Sequence, residues 1–299
     1  MHWLFEPGFF TSQPVHTALV IGGVVAIVSA VVGVFTVLRG QSFAGHALTD
    51  VSMAGGSAPL LLSISPVLGF VGMGLIGAAT IDAIGTQRVK GRDLATGIVL
   101  GAATGVAAVL LYYVSTNSAT TGATQTILFG DIFIIERSTI PLVVAFSLIA
   151  VGIIGVLYRP LLLASTSPEL AAARGIPVRL IGLGFMASLA VAVGLSALAI
   201  GAILSTALLI GPAATALRLT NRTGAALIIA AVIGVVATWL GVLLAYDSYY
   251  WSSSHNLYPV SFFIVVLCVL AYLASGLPFV RSLTDRRAPP RAPAALVKP

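Results

Sequence analysis

The run from Leu180 to Leu217, LIGLGFMASLAVAVGLSALAIGAILSTALLIGPAATAL, contains no charged residue. A helix crosses the bilayer in about 20 residues at about 1.5 Å per residue, so this run is too long for one crossing. It reads as two membrane helices, 180–198 and 200–217, that fold back near Ala199 to Gly201. Outward from it, further apolar runs lie at 15–38, 42–62, 66–85, 94–114, 139–158, 224–246 and 259–279, with 127–135 either a short re-entrant or interfacial helix or part of a loop. The expected fold is all-α, a polytopic transmembrane helical bundle of eight or nine spans over residues 1–280. Residues 281–299 change composition to Pro, Ala, Arg and Lys and read as a short disordered cytoplasmic tail.

Composition agrees. The 299 residues are 58% hydrophobic and 8% charged, where a soluble domain carries roughly 25% charge to dress its surface for water. The net charge of +6 is no argument for nucleic acid, because membrane proteins keep basic residues in their cytoplasmic loops. The single cysteine, Cys268, excludes a disulfide framework within the chain and a cysteine-rich metal cluster. Met1 to Pro14 holds no Lys or Arg, so it lacks the basic start of a cleaved secretory signal.

With the N-terminus outside and the C-terminus inside, every basic residue but Arg137 falls on one side of the membrane. These are Arg39; Arg88, Lys90 and Arg92; Arg159, Arg174 and Arg179; Arg218 and Arg222; and the five from Arg281 to Lys298. Gly97, Gly101 and Gly105 share one face of the fourth span and are expected to pack within the bundle, a dimer seam being the other use of such spacing. Pro59, Pro141 and Pro212 are expected to kink the spans they touch.

Ionisable groups at membrane depth are costly, and here they are few. His46 and Asp50 lie in the second span at a four-residue spacing that puts both on one face. An imidazole nitrogen and a carboxylate oxygen on adjacent turns can share a borderline divalent cation such as Zn²⁺ or Mn²⁺. The plainer alternative is that the two hydrogen-bond each other and stitch the bundle. Gly55, Gly56 and Pro59 follow, so the helix is expected to weaken just beyond the pair. Asp82 reads as a carboxylate snorkelling toward the basic loop that holds Arg88, with a relay as the lesser alternative. Asp247 ends the eighth span among Tyr246, Tyr249, Tyr250 and Trp251, an interfacial aromatic belt, with a role at the external mouth as its lesser alternative. Ser205, Thr206 and Thr215 are candidates to line a polar path or to bond their own helix.

Between the fifth and sixth spans, Ser167-Pro168-Glu169-Leu170 through Arg174-Gly175-Ile176-Pro177 spells out a short capped helix. Ser stands at the N-cap, Pro at the first position, an acid in the first turn, Arg in the last and Gly beyond. Such a helix of about two turns needs something to dock against. No phosphate-binding G-x-x-x-x-G-K-[ST] loop, H-E-x-x-H pair or nucleophile arrangement occurs. The chain is therefore not an enzyme by itself, and any ATP hydrolysis belongs to a partner.

These pieces together resemble the integral membrane permeases of ATP-binding-cassette importers for zinc, manganese and iron, the ABC-3 type, over about residues 15–280. The resemblance is carried by Val37-Leu38-Arg39-Gly40-Gln41-Ser42-Phe43-Ala44-Gly45, by Ile127-Leu128-Phe129-Gly130-Asp131-Ile132, by Ser167 to Pro177 and by Gly201 to Ala216. It implies that Ser167, Pro168, Glu169, Leu170, Arg174 and Gly175 form a coupling helix that sits in a groove of a cytoplasmic ABC ATPase. It also implies that His46 and Asp50 are metal ligands, although the family pattern has Asp first and His four residues later, so the residue types are exchanged here.

The implied assembly is two copies of the permease in a bacterial plasma membrane, an extracellular metal-binding protein and ATPases that drive alternating access. The chain itself holds no cofactor; the divalent metal is its cargo. A gradient-driven secondary transporter, a non-transporting membrane anchor or assembly factor, and an ABC permease for a metal chelate or other small solute are the alternatives. Flux without nucleotide, absence of flux, and metal competition distinguish them in turn.

Overall fold

The computed structural model describes residues 8–62, 65–84, 89–117, 123–251 and 258–277. The chain runs through α1 (Gln13–Leu38), α2 (Ser42–Leu62), α3 (Pro66–Ile84), α4 (Val89–Asn117), α5 (Ala123–Phe129), α6 (Ile140–Thr166), α7 (Pro168–Ala173), α8 (Val178–Ile200), α9 (Ala202–Leu219), α10 (Thr223–Trp251) and α11 (Val260–Ser275). No strand occurs among the described residues. The tail from Arg281 onward lies outside them.

Seven of these helices are long and apolar enough to cross a membrane: α1, α3, α4, α6, α8, α9 and α10. The expected spans at 42–62 and 259–279 are also helical, as α2 and α11. α2 carries His46 and Asp50 within its apolar run, and α11 has 16 residues. The charge-free run does fold back where its length requires. Gly201, at φ +82° and ψ 155°, separates α8 from α9 in a conformation that side chains rarely adopt.

Helices that are apolar all round do not sort themselves by hydrophobicity in lipid, so backbone approach decides which lie inside. The most enclosed are α1 and α8, whose apolar windows are 72% and 78% buried, against 22% for α4 and α6. α1 packs against α10, α9, α6 and α8, and α8 packs against α3 and α6 as well. Gly33 lets α1 rest directly on the Leu209 carbonyl of α9, and Gly55 lets α2 rest on the Gly69 carbonyl of α3. A Cβ at either point would collide with backbone, which cannot swing aside.

Three local expectations come out differently. Gly97, Gly101 and Gly105 are exposed and meet nothing within 4 Å, because α4 packs inward through Ala95, Thr96, Val99, Ala107 and Val114 instead. Pro141 sits in the first turn of α6, where its missing N–H has no helical partner to lose, so it starts the helix rather than kinking it. α2 runs without a break past Gly55 and Gly56 to Leu62. Pro212 does lie inside α9, and Pro160 inside α6.

Two ends of the bundle can be told apart. At one, α7 lies between α6 and α8. Arg39 at the end of α1 stacks over Phe185 of α8 at 5.1 Å, and Arg179 Nη2 meets Asp82 Oδ2 at 3.9 Å. At the other, the starts of α1 and α11, the end of α10, one side of α5 and the turn after it line a cavity of about 520 Å³.

Candidate functional site

α2 begins two residues after Gly40, whose φ of +61° turns the chain sharply out of α1. His46 therefore lies in its second turn and Asp50 one turn further along the same face. His46 is exposed and Asp50 half-buried. No hydrogen bond joins the two. Instead His46 Nδ1 faces Thr206 Oγ1 of α9 at 3.3 Å. Between them on α2, Thr49 is fully buried and receives a hydrogen bond from Ser205 Oγ at 3.3 Å. The metal-candidate face of α2 is thus laced to the first turn of α9, just after the Gly201 break.

Of the hydroxyls expected along a polar path, Ser205 and Thr206 reach α2, while Thr215 donates to Gly211 of its own helix at 2.7 Å. Thr49 was not singled out by the sequence, although its position three residues after His46 on a helix was the available signal. Among the described residues no group of three or more His, Cys, Asp or Glu side chains is placed to hold an ion. One copy of the chain places an imidazole and a carboxylate together on an open face of α2.

α7 has the capped form that its sequence spells out. Pro168 opens it, Glu169 lies in its first turn and Arg174 caps its C-terminus. Gly175 adopts φ +73°, and the bonds Gly175 N–H to Ala172 O at 2.9 Å and Ile176 N–H to Ala171 O at 3.1 Å close it as a Schellman turn. Ser167 holds the N-cap position through its backbone, without a side-chain cap bond. Ala171 is buried against the bundle, whereas Glu169, Leu170 and Arg174 face outward, Leu170 at 45% exposure. An exposed leucine thus stands beside an exposed acid on this six-residue helix.

The other acids separate. Asp82 pairs with Arg179 at the start of α8, a contact across the bundle that the sequence does not reveal. Asp247 is fully buried on α10, one residue from Tyr246, which lines the cavity at the opposite end. The carboxylate that does line that cavity is Asp131, in the turn after α5. Burial pushes its carboxyl above the ordinary carboxylate range, while the backbone N–H groups of Phe133 and Ile134 pull the other way.

Residues 12–276 match the model of the ABC 3 transport family. The chain belongs to that family. Among its relatives are manganese transport system membrane proteins MntC. The one from Halalkalibacterium halodurans is 33% identical, over 78% of this chain and 77% of the relative. The one from Listeria monocytogenes is 30% identical, over 81% of this chain and 85% of the relative. A solved structure of PsaBC from Streptococcus pneumoniae in complex with Fab superimposes with a TM-score of 0.78 at 26% identity, over 93% of this chain and 97% of that one. Membership makes this ABC-3 chain a multi-pass membrane permease, and the all-helical bundle is that family's fold.

Proposed function

We propose that this chain is the permease subunit of an ATP-driven importer that moves a divalent transition metal, manganese foremost, across the bacterial plasma membrane by alternating access. The observation that carries the reading is the His46–Asp50 pair on an open face of α2, next to Thr206 of α9. A mixed nitrogen and oxygen donor set suits Mn²⁺, Zn²⁺ and Fe²⁺, and the names of the relatives favour manganese.

Two donors are too few to strip a metal ion of its water. A second copy of the chain, facing the first across this open side, doubles the set to two imidazoles and two carboxylates. Moderate coordination of this kind suits transport, since an ion held too firmly is not released. α7 docks on an ATPase subunit at the cytoplasmic face, and an external metal-binding protein delivers the ion at the opposite face. The distribution of basic residues supports this orientation, with the N-terminus outside.

The test is uptake of labelled Mn²⁺ by the assembled complex. His46→Ala and Asp50→Ala each abolish uptake while the complex still assembles and hydrolyses ATP. Undiminished uptake by either variant removes the pair from the pathway.

A further inference from the structure

The cavity at the end opposite α7 has a built wall. α5 stops at Gly130, whose N–H bonds Thr126 O at 2.8 Å, and the chain turns back through Asp131 to Ile134, closed by Ile134 N–H to Asp131 O at 3.1 Å. Ser261 Oγ at the start of α11 donates to Phe129 O at 2.9 Å, pinning the turn to the wall opposite. Gly130 also lies backbone to backbone against Gly201. This half-open space, about 520 Å³, is far larger than a bare ion and has room for an ion with its hydration shell.

Its polar lining comes from Ser12, Gln125, Thr126, Asp131, Tyr246 and Tyr258, and no Lys, Arg or His lines it among the described residues. Every side-chain acceptor in that set is an oxygen. Phe133 N–H donates to Asp131 Oδ1 at 3.3 Å, which leaves acceptor capacity on a carboxylate that can take about four hydrogen bonds or a cation. An anion would meet a carboxylate with no cation to offset it. A neutral apolar guest would pack against Val15, Phe133 and Val260 but would strip that carboxylate of water and offer it no hydrogen bond.

We infer that this cavity is a second, separate cation site, in which Asp131 and the surrounding oxygen donors hold a hydrated divalent cation. One carboxylate with neutral oxygen donors binds weakly and leaves most of the ion's water in place, the behaviour of hard-ion sites of low charge count. The cation's identity as cargo rests on the proposed function; the site itself does not. Across the Gly130–Gly201 contact the cavity adjoins the α8–α9 break, a few residues from Thr206 and so from His46. A cation here stands ahead of the α2 pair on an inward path.

Tb³⁺ is a suitable probe, because it prefers oxygen donors and its emission is sensitised by nearby aromatic rings such as Tyr246 and Tyr258. The full chain, purified in nanodiscs, is titrated with Tb³⁺ under tyrosine excitation and then with Mn²⁺, Mg²⁺ or Ca²⁺ as competitors. Saturable emission is expected, with affinity weakened about tenfold in Asp131→Asn and largely kept in Asp131→Glu, both variants eluting as the wild type does. The same signal persists in the His46→Ala/Asp50→Asn double variant. Displacement by Mn²⁺ at lower concentration than Mg²⁺ or Ca²⁺ assigns the cargo as ligand; equal displacement assigns any hard divalent cation. No saturable emission, unchanged binding by Asp131→Asn, or loss of all emission in the double variant overturns the inference. If uptake fails in the double variant while this signal remains, the two sites are shown to be separate.

Discussion

Gly130 and Gly201 stand backbone against backbone, with the end of α5 crossing the break between α8 and α9 so closely that neither position has room for a Cβ. Both have positive φ, +72° and +82°. Gly201→Ala therefore meets two penalties. Strain costs about 1–3 kcal/mol, and the collision with the Phe129 and Gly130 backbone adds to it. The expected result is a marked fall in the melting temperature of the purified permease, read by thermal-shift chromatography. Gly97→Ala is the control. It meets nothing within 4 Å and is mid-helix, so it is neutral or stabilising by up to about 1 kcal/mol.

Thr206 positions His46. For His46 to offer Nε2 to a metal, Nδ1 must carry the proton and Thr206 Oγ1, 3.3 Å away, must accept it. Thr206→Val keeps the shape and removes the acceptor, so Mn²⁺ uptake falls about tenfold. Thr206→Ser restores it. Equal loss in both variants would mean that packing, not the hydroxyl, matters at this position.

The proposed docking of α7 on an ATPase subunit predicts that its outward face binds a partner without holding the bundle together. Leu170→Asp and Glu169→Lys leave the permease inserted, with an unchanged melting temperature, and abolish co-purification with the ATPase subunit. Ala171→Asp, at a buried position on the same helix, lowers stability instead. Retained co-purification in both outward-facing variants contradicts the docking role.

Asp131 sets a pH dependence with a definite sign. Its folded pKa is raised by burial, so the charged form carries a penalty above that pKa that vanishes as protons bind. Wild-type stability thus rises relative to Asp131→Asn as pH falls through the raised value toward the ordinary 3.8. Cation binding in the cavity weakens over the same interval, because protons compete for the carboxylate. Parallel melting curves across acidic pH check the first statement, and Tb³⁺ titrations at the same pH values check the second.

How much of this was legible in advance varied with the physics. The helices at 15–38, 42–62 and 180–217 are close to where their hydropathy puts them, because crossing hydrocarbon requires an unbroken apolar helix of nearly fixed length. α7 is equally legible, since its caps are local and each acts within one turn. Pro141 misled because a proline's effect depends on whether it falls in the first turn or later, and that boundary is blurred in an apolar run. Gly97, Gly101 and Gly105 misled because small-residue spacing marks a face able to pack closely without naming a partner.

The sequence by itself determined that the chain lives in a membrane, where it turns, and that His46 and Asp50 share a helix face, since these follow from local composition and the 3.6-residue period. Tertiary structure alone decided that His46 turns to Thr206 rather than to Asp50, and that Asp82 finds Arg179. It also decided that Asp131, not Asp247, lines the cavity at the end opposite α7. In a bundle apolar on every face, hydropathy does not rank the faces. What ranks them is where glycines let backbones touch, and that depends on pairs of residues far apart in the chain.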